Sequence, residues 1–360
     1  MTILTRRTAL KLGAAGFMLT IASQLALGQD GPLKIGFVNV GPKDDNGWTY
    51  GHWVAAQALE EEFGDAIEIT FVESVPEGPD CERVLRELAQ QGNKIIFATS
   101  FGFGDYVIKV AREFPDVIFE HATGYQRSEN VGTYNARFHE GRAVMGTLAG
   151  HLSQTKNIGY IGSFPIPEVV MGINAFTLAA RKINPEITVN VVWLSSWHDP
   201  AKEADAARAL IDQGADIIVQ HTDGPAALQV AEERGIIGGF GQGADMSAFA
   251  PKSHLSAIID VWAPHYIQVI KDVQAGTWVS DDSWPGIAAG EVVIGPYNEK
   301  IPADVVAAAE AVKAGIVDGS VNPFTGPIVD NTGTERVPAG QTIDDAGLWA
   351  MDWYVEGVKA

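Results

Sequence analysis

From Leu33 onward the chain alternates short apolar runs, rich in β-branched residues, with longer amphipathic segments. This alternation restricts the fold more than any other feature. The strand candidates are Leu33–Val40, Ile67–Glu73, Lys94–Thr99, Val117–Ala122, Ile158–Ser163, Ile187–Leu194, Ala215–Gln220, Ile236–Gly241 and Leu255–Val261. Most are near-continuous apolar runs, as parallel strands covered by helices on both faces require. The helix candidates lie between them: Trp48–Phe63, Asp80–Gln91, Asp105–Glu113, Glu140–Ser153, Glu168–Ile183, Pro200–Gln213, Pro225–Arg234 and Pro264–Ala275. Asp80, Asp199 and Asp223 stand just ahead of helices, where a carboxylate accepts free N–H groups. Pro200, Pro225 and Pro264 fall at or near first helical positions. Such βα units predict an α/β, doubly wound architecture with right-handed crossovers. So many strands in 360 residues fit two sheets of about four to six strands better than one. The pattern restarts at Ile158, after the strand candidate Val131–Phe138, so the first lobe boundary is expected near Tyr134–His139.

The first 28 residues differ from the rest. They carry Arg6, Arg7 and Lys11, no acidic residue, and an apolar run from Leu12 to Leu27 that is short for a membrane span. Ala26-Leu27-Gly28 supplies small residues at the −3 and −1 sites of a cleavage near Gly28-Gln29. Thr5-Arg6-Arg7-Thr8-Ala9-Leu10-Lys11 resembles a twin-arginine export signal, with Ala9 where that motif usually has Phe. A general secretory signal is the alternative; either sends the chain out of the cytoplasm, with the periplasm as the expected place. No cysteine lies near the cleavage point, so no lipid anchor is expected. The one cysteine, Cys81, excludes an internal disulfide and a thiolate metal cage. A formal charge of −20 argues against nucleic acid or an anionic membrane as partner.

In open α/β sheets, ligands collect beyond the carboxyl ends of the strands. The segments there are 41–50, 100–104, 123–125, 164–168, 195–199, 221–223, 242–245 and the strand end at Asp260–Trp262. They combine aromatics, amides and carboxylates, and Lys43 is the basic residue among them. Such a mixture suits a flat, neutral heterocycle stacked between aromatic faces, with Asp or Gln meeting its N–H groups. A phosphate would call for Lys, Arg and glycine-cradled N–H groups instead. Trp48, Phe101, Phe164 and Trp197 serve equally well as core packing, and Asp223 as a plain helix cap. Asp260 ends an apolar strand, where a buried carboxylate needs a partner.

Enzyme signatures are missing. There is no G-x-S-x-G elbow and no H-E-x-x-H, and the eight histidines lack ligand spacing. Gly239-Phe240-Gly241-Gln242-Gly243 lacks the third glycine of a dinucleotide fingerprint. No pair of carboxylates stands out as a glycosidase dyad. No cofactor, metal or catalytic residue is expected, so the chain is not read as an enzyme.

The loops themselves resemble the basic membrane protein (BMP), or PnrA-like, family of substrate-binding proteins of ABC transporters. The likeness runs over the whole chain after residue 28. Its carriers are Asp45-Asn46-Gly47-Trp48, the stretch Asn93–Gly102, Phe119–Gly124, Ile158–Ser163, Asn322–Pro327, and the branch motif Gly162–Val170 with Gln220-His221-Thr222-Asp223. The resemblance implies a type I periplasmic binding fold: two Rossmann-like lobes, joined by three hinge crossings, with a ligand between them. It implies a first lobe of 29–137 plus 256–285, a second of 138–255 plus 286–330, and a C-terminal segment 331–360. It implies a purine base, such as adenine, or a purine nucleoside as ligand, an inner-membrane permease as partner, and a monomer. By motif position Trp48 and Trp197 are the stacking aromatics. Asp223 and Gln242 are polar contacts, with Asp45, Ser100, Phe101 and Phe164 completing the site. Many nucleoside-binding members carry Lys where Asp260 stands; its replacement favours a bare base over a nucleoside. A non-purine solute such as a sugar, or an exported nucleoside hydrolase, are the alternatives.

Overall fold

The computed structural model describes residues 31–360. The export-signal expectation falls on residues 1–28, outside the described residues. The strands of the first half are β1 (Leu33–Asn39), β2 (Ile67–Val72), β3 (Ile95–Thr99), β4 (Ile118–Ala122) and β5 (Val131–Tyr134). Then follow β6 (Asn157–Gly162), β7 (Thr188–Trp193), β8 (Ile217–His221), β9 (Gly238–Gly243) and β10 (His254–Asp260). Short strands complete the set: β11 (Asp282–Ser283), β12 (Val292–Ile294), β13 (Ile328–Val329), β14 (Glu335–Val337) and β15 (Val358–Lys359). The helices are α1 (Trp48–Phe63), α2 (Pro79–Gln90), α3 (Gly104–Glu113), α4 (Phe138–Leu152), α5 (Pro167–Ile183), α6 (Pro200–Asp212), α7 (Ala226–Arg234), α8 (Ala263–Ala275), α9 (Ala303–Val317) and α10 (Asp345–Trp349).

The first sheet has six strands in the order β11-β5-β4-β3-β1-β2, and the second has seven in the order β12-β10-β9-β8-β6-β7-β15. Both are parallel apart from β12, which runs antiparallel to β10. This is the expected doubly wound α/β class. Complete burial of Ile95, Ile96, Phe97 and Ala98 in β3, and of Ile217, Ile218 and Val219 in β8, explains why the central strands read as unbroken apolar runs. The apolar core is shared between lobes: Phe37, Phe97, Tyr134, Trp262 and Tyr266 belong to the same cluster as Tyr160, Phe176 and Phe240.

The chain passes from the first sheet to the second after Tyr134, back after Asp260, and across again after Ser283. The second passage corrects the expected boundary at 255/256. Ser256, Ala257 and Ile258 are fully buried and pair with β9, and Asp260 pairs with Val292 of β12, so the strand stays in the second sheet until Asp260. The C-terminal segment is also not separate. Val358 pairs with Val189 and Lys359 with Asn190, adding β15 to the edge of the second sheet. Two residues are too short to produce a readable strand period.

The lobes touch backbone to backbone at the rim of the cleft. A Cβ on Gly47, just before α1, would lie 2.7 Å from the carbonyl oxygen of Asp223 in the other lobe. A Cβ on Gly243, at the end of β9, would lie 2.8 Å from the carbonyl carbon of Gly47, and its φ of +81° already favours glycine. A second link is a side-chain bond. The Trp197 indole N–H of the second lobe donates to Glu77 Oε1 of the first at 3.1 Å. The same oxygen accepts from Ser100 Oγ at 2.6 Å and from the Gly102 N–H at 3.0 Å.

Helix α6 begins with reciprocal capping, as its sequence predicts. Asp199 accepts from the Lys202 N–H at 3.1 Å, while Glu203 accepts from the Asp199 N–H at 3.2 Å. The other Glu203 oxygen is buried with no partner among the described residues. Burial pushes the Glu203 carboxyl up to about 7, with Asp199 and Asp45 adding repulsion. The folded chain therefore holds this proton to higher pH than the unfolded chain, and the associated stability is lost as pH rises from about 4.5 to about 7. Glu203→Gln should keep the cap and gain on the order of 2 kcal/mol over the parent at pH 8, with little difference at pH 4.5. Thermal melts of both proteins across that range check it; parallel pH curves would refute it.

Candidate functional site

The strand ends β1, β3 and β4 of one lobe and β6, β8, β9 and β10 of the other converge on one cavity. It is a narrow cavity lined by Val40, Trp48, Ser100, Phe101, Thr123, Glu168, Trp197, His221, Asp223, Gln242, Gly243 and Asp260. Expected residues Trp48, Trp197, Asp223, Asp260, Gln242, Phe101 and Ser100 are thus brought together. Phe164 is not in this wall. It lines the adjacent mouth with Trp197, whose ring centroid lies 5.1 Å away. Asp45 is also outside it. Its carboxylate accepts from the N–H groups of Gly47, Thr49 and Tyr50 at 2.8–2.9 Å, which makes it the anchor of the first turn of α1.

The aromatic walls are held differently. The Trp48 indole donates to the Thr99 carbonyl at 2.7 Å and packs edgewise with His52, Trp262 and Phe138. It is thus both part of the core and part of the cavity wall. Trp197 sits on the loop after β7 and is fixed by Glu77 and Phe164. Its carbonyl also accepts the Asp223 N–H at 3.0 Å, so the stacking loop and the carboxylate loop are tied together.

The polar groups form a buried set of unusual charge. Asp223 Oδ2 and both oxygens of Asp260 are buried and unpartnered among the described residues. The helix-cap role expected for Asp223 is not realised: α7 has no side-chain cap, because the carboxylate turns to the cavity. Burial raises both carboxyls well above the ordinary range. Repulsion from Asp45, Glu203 and Asp260 adds to this at Asp223, and repulsion from Glu168 at Asp260. Arg142 on α4 opposes the rise at Asp260. A carboxyl in this state can donate through O–H and accept through its carbonyl oxygen. Glu168 is occupied: Oε2 accepts from Asn135 at 2.7 Å, and Oε1 lies 3.5 Å from His221 Nε2. Burial lowers the pKa of His221, so the neutral ring is favoured.

Glu168, His221, Thr123 and Arg142 were not among the expected site residues. Glu168 and His221 stand in the loops that were singled out. The rule that flagged Asp260, a charged group ending an apolar run, applies to His221 as well. Arg142 had a quieter signal, as the basic residue in an otherwise small and apolar stretch from Gly141 to Gly150. It is fully buried. It donates to the Gln220 carbonyl at 2.8 Å and to Gln242 Oε1, which leaves the Gln242 amide N–H groups for the cavity. No group of His, Cys, Asp or Glu among the described residues is arranged to hold a metal ion.

Residues 33–317 match the family model described as ABC transporter substrate-binding protein PnrA-like. The chain is 51% identical, over 96% of its length and 97% of the relative's, to a protein of Brucella abortus (strain 2308) named "Purine-binding protein". It is 35% identical, over 91% of its length and 80% of the relative's, to a Haloferax volcanii protein named "Putative ABC transporter glucose-binding protein". Among solved structures, an ABC transporter solute-binding protein from Aeropyrum pernix K1 aligns with a TM-score of 0.71 over 82% of this chain and 94% of that one, at 18% identity. That likeness carries the two-lobed fold, and the family model carries the kinship. The chain belongs to the PnrA-like family of ABC transporter substrate-binding proteins.

Proposed function

We propose that this protein captures a purine base between its lobes and delivers it to an ABC permease in the inner membrane, acting as a monomer in the periplasm and performing no covalent chemistry. The observation that carries the reading is the Asp260 carboxyl. It is buried, both of its oxygens lack partners, and it faces a cavity walled by Trp48, Trp197 and Phe101. A neutral carboxyl presents a donor and an acceptor side by side. A purine edge, with a ring nitrogen next to an N–H, presents the complementary pair. Asp223 Oδ2 offers an acceptor, and the amide of Gln242 adds N–H donors. The aromatic walls supply stacking of about 1–3 kcal/mol per face.

The cavity lining holds neither Lys nor Arg, which argues against a phosphorylated ligand; Arg142 lies behind it, its Nη2 donating to Gln220 and Gln242. Ligand contacts to both lobes exist only when they are together, so binding shifts the molecule towards the closed form. The relative named for glucose favours a second reading, a sugar, since sugars also stack on indoles. A thermal-shift panel of bases, nucleosides and sugars separates the two. The purine reading fails if sugars alone stabilise the protein.

Substitutions at three positions probe the geometry. Trp197→Ala should weaken binding at least tenfold, about 1.4 kcal/mol, by calorimetry; unchanged affinity would exclude a stacking role. Asp260→Ala should cost at least thirtyfold, about 2 kcal/mol. Asp260→Asn, which keeps one donor and one acceptor, should stay within about tenfold of the parent. Equal affinities of the Ala variant and the parent would sink the assignment. Gly47→Ala leaves every cavity-lining side chain in place but puts a methyl against Asp223. It should lower affinity about tenfold or more and leave the ligand-saturated protein more extended in small-angle scattering; a parent-like scattering curve would contradict the closure contact.

A further inference from the structure

We infer that the binding site continues into an apolar annex that accepts a hydrophobic substituent on the ligand, so that the protein takes alkyl- or aryl-substituted purines as well as the bare base. The inference rests on the purine reading above. The annex is a half-open groove lined by Phe101, Thr123, Tyr125, Ile166, Pro167, Glu168 and Trp349. Phe101, Thr123 and Glu168 also wall the main cavity, so the two spaces share a partition. Glu168 is the charged group in the annex wall; its Oε2 accepts from Asn135 and its Oε1 lies 3.5 Å from His221 Nε2. A polar substituent would find little to replace its water, whereas an apolar one would gain by leaving it.

The walls are built, not incidental. Tyr125 is 64% exposed, yet its ring lies 5.6 Å from that of Phe101. Trp349 closes the far side from α10, in the C-terminal segment. That helix is fastened by a bidentate ion pair, Arg137 to Asp345 at 3.0 and 2.6 Å, and by Trp349 packing on Trp284 at 4.6 Å. Arg137 lies in the first passage between sheets, so the C-terminal wall is pinned beside a hinge. Phe101, Thr123 and Tyr125 come from the first lobe and Ile166, Pro167 and Glu168 from the second. A substituent lodged there therefore bridges both lobes and favours the closed form.

The test is calorimetric titration of the purified protein with adenine, hypoxanthine and guanine, and with adenine carrying a benzyl group at N6, C8 or N9 in turn. At least one benzylated adenine should bind as tightly as adenine or more so. Trp349→Ala should weaken that ligand at least fivefold, with adenine held within twofold. Tyr125→Ala, an exposed change that spares the core, should do the same in smaller measure. Loss of more than a hundredfold for every benzylated adenine while adenine still binds would overturn the annex and leave the purine reading standing. So would an equal loss of adenine and the benzylated ligand in both variants. Impaired transport in Tyr125→Ala with unchanged binding of every purine would assign the face to permease docking and overturn the annex. Failure of all purines to bind would overturn the purine reading itself, and the annex with it.

Discussion

A single buried guanidinium makes the cleft possible. Arg142 lies at the base of a site whose other ionisable groups are mostly acidic: Asp223, Asp260 and Glu168 line the cavity, with Asp45 and Glu203 behind. Carboxylates gathered this closely in a dry environment repel one another, and each resists ionisation. Arg142 moderates this by lowering the cost at Asp260, and it fixes the Gln220 carbonyl and the Gln242 side chain in the same stroke. Its own stem is held by α4, and its guanidinium lies 5.5 Å from the Tyr160 ring. Loss of this one cation would leave the Gln242 side chain free to turn and the carboxyls with no counterweight. The order of the polar wall therefore follows from a residue that does not line the cavity.

Most of the architecture was legible because burial on both faces writes parallel strands as plain apolar runs. β1, β3, β6 and β8 fall within two residues of the positions their sequences predict. What escaped was governed by partners distant in the chain. β15 is a strand only because β7 offers it an edge, and β10 belongs to the second lobe because β9 and β12 pair with it. Neither partner is visible from local periodicity.

The site was legible in outline and less so in role. The rule that ligands gather beyond strand ends singled out loops that meet at one cavity, and the cavity collects most of the residues expected from them. What stayed open was the role of groups that local chemistry could use in two ways. Asp45 and Asp223 both precede helices. The first is consumed by three N–H groups of α1, and the second turns away from α7 into the cleft. Sequence cannot choose between capping and ligand contact, because the choice depends on whether the opposite lobe supplies a dry surface. Arg142 was missed for a related reason: a cation within a helix reads as solvated until its neighbours are known.

The contact between Gly47 and the Asp223–Gly243 side of the cleft has a further consequence. Main chain meeting main chain is an unyielding stop, since neither surface has a side chain that can rotate aside. The jaws consequently halt at a set gap whatever sits between them. An occupant thinner or shorter than that gap cannot be gripped by further tightening, and it leaves voids that forfeit dispersion contacts on every side. A rim contact of this kind would turn away undersized solutes under the proposed reading, without any wall residue having to recognise them.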